Sequence, residues 1–235
     1  MFEGKNKAIT FSYDDGVEQD RWLVDVMNTY GLRGTFNINS GRFGQRGQIG
    51  CHGAVVPHCM MTAEEVAHIY IGHEVAGHSL THPTLTDLPD EEVLRQVEVD
   101  RQRLETVTGR PVVGFAYPNG GRDRRVMEVM ATGTGIQYAR TVEATGGFAL
   151  PEDPLAFHPT VYHLDWEKML SLAETFLAAE AEEPMLFTIW GHSYELDCHP
   201  DWKPRFAKFC KRISGRPDVA YLTNGQALQS LLSRP

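Results

Sequence analysis

The stretch from Lys7 to Asn37, KAITFSYDDGVEQDRWLVDVMNTYGLRGTFN, decides the fold. Residues 7–11 read as a strand. Residues 20–30 read as a helix with Trp22, Leu23, Val26, Met27 and Tyr30 on one face, and residues 34–37 as a second strand. Strand, helix, strand is the unit of a parallel α/β sheet. The alternation continues through strands at 74–77, 112–116, 137–141, 185–190 and 219–222. Helices are expected at 62–71, 90–108, 124–131, 166–180, 202–213 and 226–232, the first opened by a Thr62/Glu65 capping box and the second ended near Gly109. Residues 41–57 are rich in glycine and aperiodic, and are read as one long functional loop. Seven strand–helix units predict a closed or nearly closed (β/α) barrel in a single domain, residues 1–235.

In such a barrel the active site forms where the strands end. Here the chemistry-bearing residues follow strands one, three, four, five and six. Asp14 and Asp15 close the first strand, where adjacent side chains point in different directions and suit different tasks. The alternative is a turn before Gly16. His78 and His82 follow the third strand at the i, i+4 spacing that puts two imidazoles one helical turn apart, close enough to grip one ion. A carboxylate added to them makes the three-ligand open set used by catalytic zinc. The neighbouring carboxylate could then serve as a base on water. A glycosidase pair is disfavoured, since its carboxyls must face each other across a sugar bond. His73 precedes the third strand, at the opposite barrel end, and is read as structural.

The segments Ser12-Tyr13-Asp14-Asp15-Gly16 and His78-Ser79-Leu80-Thr81-His82 resemble the first two motifs of the polysaccharide deacetylases, a family of metal-dependent carbohydrate esterases that includes the chitooligosaccharide deacetylases. Phe115-Ala116-Tyr117-Pro118-Asn119-Gly120 falls where that family has its third motif, and Trp190-Gly191-His192-Ser193 resembles its last. The resemblance implies a distorted (β/α) barrel of about seven strands. It also implies Asp15, His78 and His82 as metal ligands and Asp14 as general base. The Asn119 backbone N–H would face the developing oxyanion, aimed by the tight turn at Gly120, and His192 would be the general acid. The chain departs from the family where Ala116 replaces an arginine that pairs with the base, and where Asn119 replaces an aromatic residue. Arg140, at the end of the fifth strand, is the expected replacement for that arginine. The carboxylate that holds His192 is either Asp165 or Glu195. Tyr117, Pro118, Trp190 and Tyr194 are expected sugar-contacting positions; for Trp190, Trp166 and Tyr194 the alternative is core packing.

A net charge of −9 argues against a nucleic-acid partner, and no cationic cluster points to an anionic membrane. No apolar run has signal-peptide or membrane-span length, so a cytoplasmic enzyme is expected. Cys51, Cys59, Cys198 and Cys210 are then read as free thiols. A second metal site at Cys51-His52 and His58-Cys59 is disfavoured by irregular spacing and by Pro57. The expected activity is hydrolytic deacetylation of an N- or O-acetylated sugar or oligosaccharide, with Zn2+ as cofactor and Co2+, Ni2+ or Mn2+ as alternatives. Two rivals are an amide hydrolase of the same barrel acting on an allantoin-like substrate, and a non-catalytic sugar-binding protein with a structural metal.

Overall fold

The computed structural model describes residues 1–232; the last three residues of the expected domain lie outside the described residues. Strand β1 (Lys7–Asp15) runs through the middle and is buried along its whole length. Helix α1 (Asp20–Thr29) turns its Leu23, Val24 and Met27 face onto the sheet and returns the chain to β2 (Gly34–Ile38), parallel to β1. A hairpin follows, β3 (Gln48–Cys51) and β4 (Ala54–Pro57). Then come α2 (Ala63–Ile69), β5 (Glu74–Gly77), α3 (Asp90–Thr108), β6 (Gly114–Ala116), α4 (Arg124–Gly133) and β7 (Tyr138–Arg140). The chain ends with β8 (Val161–Tyr162), α5 (Trp166–Ala178), β9 (Met185–Gly191), α6 (Trp202–Ile213), β10 (Val219–Tyr221) and α7 (Asn224–Leu232).

The eight-stranded parallel sheet has the order β7-β6-β5-β2-β1-β9-β8, with β10 also paired to β1. It curls into an incompletely closed barrel. The segment after β7 approaches closure, because Phe157 bridges to Arg140 while Val161 pairs with Ile189 of β9. Phe11, Phe36, Phe187 and Ile189 of the strands meet Leu23, Met27, Phe176 and Phe206 of the helices in the main core. The seven expected strands are all present. The Thr62/Glu65 capping box forms, and Gly109 ends α3 in the left-handed conformation that glycine adopts without strain (φ 66°).

Two readings are corrected, and one strand is added. Residues 41–57 are not one irregular loop, since β3 and β4 pair across a two-residue turn in which His52 and Gly53 both have positive φ. That geometry is the tight hairpin turn usually built on Asn-Gly. Cys51 and Cys198 are not free thiols; they form a disulfide that fastens this hairpin to the segment after β9, leaving Cys59 and Cys210 free and buried. The added strand β8 is two residues long, too short to show a period. Among the described residues no helix is long and apolar enough to cross a membrane.

Candidate active site

Strand register sets the height of each functional side chain. Asp14 pairs with Asn37 on β2, Ser12 with Trp190 on β9, and Ala116 on β6 with Arg140 on β7. All lie at the C-terminal rim of the sheet. Asp14 is buried, and both its oxygens contact Nη2 of Arg140. Asn37 Nδ2 donates to Oδ1 at 2.8 Å. Arg140 is itself fully buried; its Nε donates to Ser12 Oγ at 3.3 Å, its Nη1 to the Thr141 carbonyl at 3.1 Å, and its guanidinium lies 4.7 Å above the Trp190 ring. Burial pushes the Asp14 carboxyl up, but Arg140, helped by His78 and His192, outweighs it and holds the group below its ordinary value. Asp14 is therefore an ionised, doubly gripped carboxylate.

Asp15 follows in the left-handed region, φ 80°. That turn points its side chain away from Asp14 and toward the loop after β5. His78 and His82 meet there with ring centroids 4.8 Å apart. Their convergence is not helical, which corrects the premise drawn from their spacing: residues 78–82 form a tight non-helical loop. Ser79 and His82 both have positive φ, and Ser79 Oγ accepts the His82 N–H at 3.0 Å. Asp100 of α3 braces the loop by accepting the N–H groups of His78 (3.0 Å) and Ser40 (2.7 Å). Of the six non-glycine residues with positive φ among the described residues, five lie in the segments that build or border this site: Asp15, His52, Ser79, His82 and Asn119. Backbone of this kind costs free energy and persists where the surroundings enforce it.

The donor set fits a divalent ion. One donor atom each from Asp15, His78 and His82 lie within 4.8 Å of one another. Asp15 Oδ1 is 3.8 Å from His78 Nε2 and 3.6 Å from His82 Nε2. Ligand atoms on a tetrahedral zinc with bonds near 2.1 Å stand roughly 3.4 Å apart. Oδ1 is buried with no hydrogen-bond partner, an arrangement that a cation would satisfy. His78 Nδ1 donates to the Ala116 carbonyl at 2.8 Å, leaving the lone pair on Nε2. Burial lowers the pKa of His78 and brings that of His82 down to about 4, so both imidazoles are neutral and able to ligate.

His192 follows β9 with Nε2 3.9 Å from Asp14 Oδ2. The carboxylate beside it is Glu195: its Oε2 lies 3.2 Å from His192 Nδ1, off the line of a well-formed hydrogen bond, and accepts the His192 backbone N–H at 3.1 Å. Glu195 Oε2 also meets His163 Nε2 at 2.9 Å, and Tyr162 donates its hydroxyl to Oε1. Tyr13 Oη lies 3.1 Å from His163 Nδ1. Since burial keeps His163 neutral, its Nε2 donates to Glu195 and its Nδ1 accepts from Tyr13. Asp165 instead opens α5, its carbonyl accepting the Met169 N–H. Burial pulls His192 down, but Glu195 outweighs it, so its pKa is pushed up to about 9.

Asn119 has φ 56° in the turn Pro118–Gly120, and its side chain donates to Thr84 Oγ1 at 3.0 Å. Tyr117 and Pro118 are buried, and the Tyr117 hydroxyl is spent on the Leu155 carbonyl at 2.8 Å, so neither offers a ligand side-chain surface. Trp166 is also buried, in the core under α5. Trp190 packs between Arg140, Tyr162 and His192, and Tyr194 stands edge-on to His58. Sequence reasoning missed Asn37, which only strand register places beside Asp14. His58 was weighed only for a second metal site; the structure instead places its Nε2 3.2 Å from Asp15 Oδ2.

A family model described as polysaccharide deacetylase matches residues 3–139. No curated protein matches the chain in sequence. Among solved structures, the fold is similar to a family 4 carbohydrate esterase from Streptomyces lividans in complex with acetate (16% identity, TM-score 0.54, covering 97% of this chain and 91% of that one). It is also similar to a family 4 acetyl xylan esterase from Clostridium thermocellum in complex with a cobalt ion (12%, 0.58, 95% and 91%). A third likeness is to a peptidoglycan deacetylase from Bacillus subtilis (18%, 0.55, 95% and 91%).

Proposed function

The chain belongs to the polysaccharide deacetylase family, and on that premise we propose that it is a divalent-metal-dependent hydrolase that removes acetyl groups, in the first place N-acetyl groups, from a sugar or oligosaccharide. The observation that carries this reading is the meeting, at one rim of the sheet, of a three-donor set with a gripped carboxylate and a charged imidazole. An ion held by Asp15, His78 and His82 would polarise water and the acetyl carbonyl; zinc suits two imidazoles and a carboxylate, with cobalt, nickel and manganese as alternatives.

Asp14 takes the proton from the attacking water. Its ionised state, maintained by Arg140, is the one a base needs. The Asn119 backbone N–H faces the oxyanion as it develops. His192, protonated at neutral pH, gives its proton through Nε2 to the departing amine, and Glu195 keeps that proton available. No covalent intermediate enters, because neither Ser12 nor Ser79 has a base aimed at it: Ser12 Oγ is held by Asn37 and Arg140, and Ser79 Oγ by a backbone N–H.

The direct test is acetate release from a panel of N- and O-acetylated sugars and oligosaccharides, with and without chelator. Release that stops on chelation and returns with Zn2+ is expected. Hydrolysis of an allantoin-like amide with no acetate from any sugar would replace this reading with the rival amide hydrolase. The acid assignment has its own check. Replacing Glu195 by Gln removes the negative charge that raises His192 while its burial stays, so the pKa of His192 falls. The acid form is then lost at lower pH, and the basic limb of the kcat/KM profile should move toward acid. A basic limb that stays in place would remove His192 from the role of general acid.

A further inference from the structure

The carboxylate of Asp15 is used unequally. Its Oδ1 faces the Nε2 atoms of His78 and His82 and has no hydrogen bond. Its Oδ2 is 3.2 Å from His58 Nε2, contributed by the residue that follows β4. His58 is not a loosely held loop side chain. Its N–H donates to the Gly47 carbonyl at 2.9 Å, and on either side Gln19 Nε2 donates to the Pro57 carbonyl at 2.7 Å and the Glu18 N–H to the Cys59 carbonyl at 2.9 Å. Its ring stands edge-on to Tyr194, with centroids 4.9 Å apart. The hairpin that delivers it is fastened through Cys51 to Cys198, close in sequence to Tyr194 and Glu195. The His58 side chain is only 12% exposed, and it lies outside the set of three whose donor atoms are mutually within 4.8 Å.

We propose that His58 is a positioning residue for Asp15. Its Nε2–H donates to Oδ2, which stops the carboxylate from rotating about its terminal torsion and presents Oδ1 alone to the two imidazoles. The hydrogen bond thereby sets the affinity of the centre for its divalent ion. A carboxylate whose second oxygen is held in this way loses less freedom on ligation, and removal of such an outer partner typically costs 10- to 100-fold in metal affinity. The inference rests on the reading of Asp15, His78 and His82 as metal ligands.

The experiment titrates Zn2+ into the full chain against a chromophoric chelator for wild type, His58→Ala and His58→Gln, with the melting temperature of each metal-free protein as the folding check. X-ray absorption on the zinc-loaded wild type and His58→Ala counts imidazole ligands. His58→Ala should bind Zn2+ 10- to 100-fold more weakly, and His58→Gln, which retains an N–H donor, should recover part of the loss; both forms examined should show two imidazoles on zinc. An affinity of His58→Ala and His58→Gln within twofold of wild type overturns the proposal. Three imidazoles in the wild type also overturn it, since His58 would then be a ligand itself. A wild type that takes up no divalent ion brings down the metal reading and this proposal with it, an outcome distinct from unchanged affinity in the variants.

Discussion

Asp14→Asn should lower turnover by about 10²- to 10⁴-fold, the usual worth of a positioned general base, while metal content stays near that of the unaltered protein. The amide nearly matches the carboxylate in shape but cannot take a proton from water. Asp15, His78 and His82 are untouched by the change, so the donor set persists. Elemental analysis beside acetate-release kinetics checks both halves. Asp15→Asn should do the opposite, losing metal before anything else, because Oδ1 is the oxygen between the two imidazoles. If Asp14→Asn lost the metal and Asp15→Asn kept it, the two roles would have to be exchanged.

Arg140→Ala should be costly to the fold as well as to the chemistry. The guanidinium is fully buried and is the main positive charge on a buried carboxylate. Removing one partner of a buried pair leaves the other uncompensated, which costs about 3–5 kcal/mol. For a chain of this size that lowers the melting temperature by roughly 6–20 °C. Without Arg140, burial dominates at Asp14 and its carboxyl shifts up, so the base form appears only at higher pH and the acidic limb of the rate profile moves upward. Arg140→Lys should recover part of both losses, since an ammonium restores charge without the planar fork that also reaches Ser12 and the Thr141 carbonyl. An alanine variant with unchanged melting temperature and unchanged acidic limb would remove Arg140 from this role.

The register of β6 and β7 gives a physical reason why the arginine can stand in a different strand. Arg140 is the register partner of Ala116, so a guanidinium leaving either strand starts at the same height above the barrel. Sequence order carries the strands, and the strand ends with the histidine spacing nominate Asp14, Asp15, His78 and His82; His192 and Arg140 come in only through the resemblance to the family's motifs. What escaped was set by contacts between distant segments. Asn37 closes an ordinary-looking strand and acquires its partner only through pairing with β1. His58 and the Cys51–Cys198 bond depend on where a hairpin folds, and His52-Gly53 was a turn signal too unlike Asn-Gly to be read as one. The His78/His82 spacing pointed to two rings that do converge, but for an incorrect reason, because their approach comes from left-handed backbone rather than from a helical turn. Between Asp165 and Glu195, sequence distance from His192 was the better guide, and the 3.2 Å approach belongs to Glu195.

The central place of β1 has a consequence for how the molecule is made. Its rim half pairs with β2, and its residues 7–13 pair with β9, some 180 residues later in the chain. At ribosomal speeds of about 5–20 residues per second, the interval between the two is on the order of ten seconds or more. Throughout that time the nascent chain carries Asp14 and Asp15 on a strand with one edge unpaired; Arg140 arrives only part-way through it, and His192 only at its end. The strand that is synthesised first is among the last to be completed, so the protein's life begins with an interval in which a strand that is wholly buried in the finished fold is open to capture by other chains or by a chaperone.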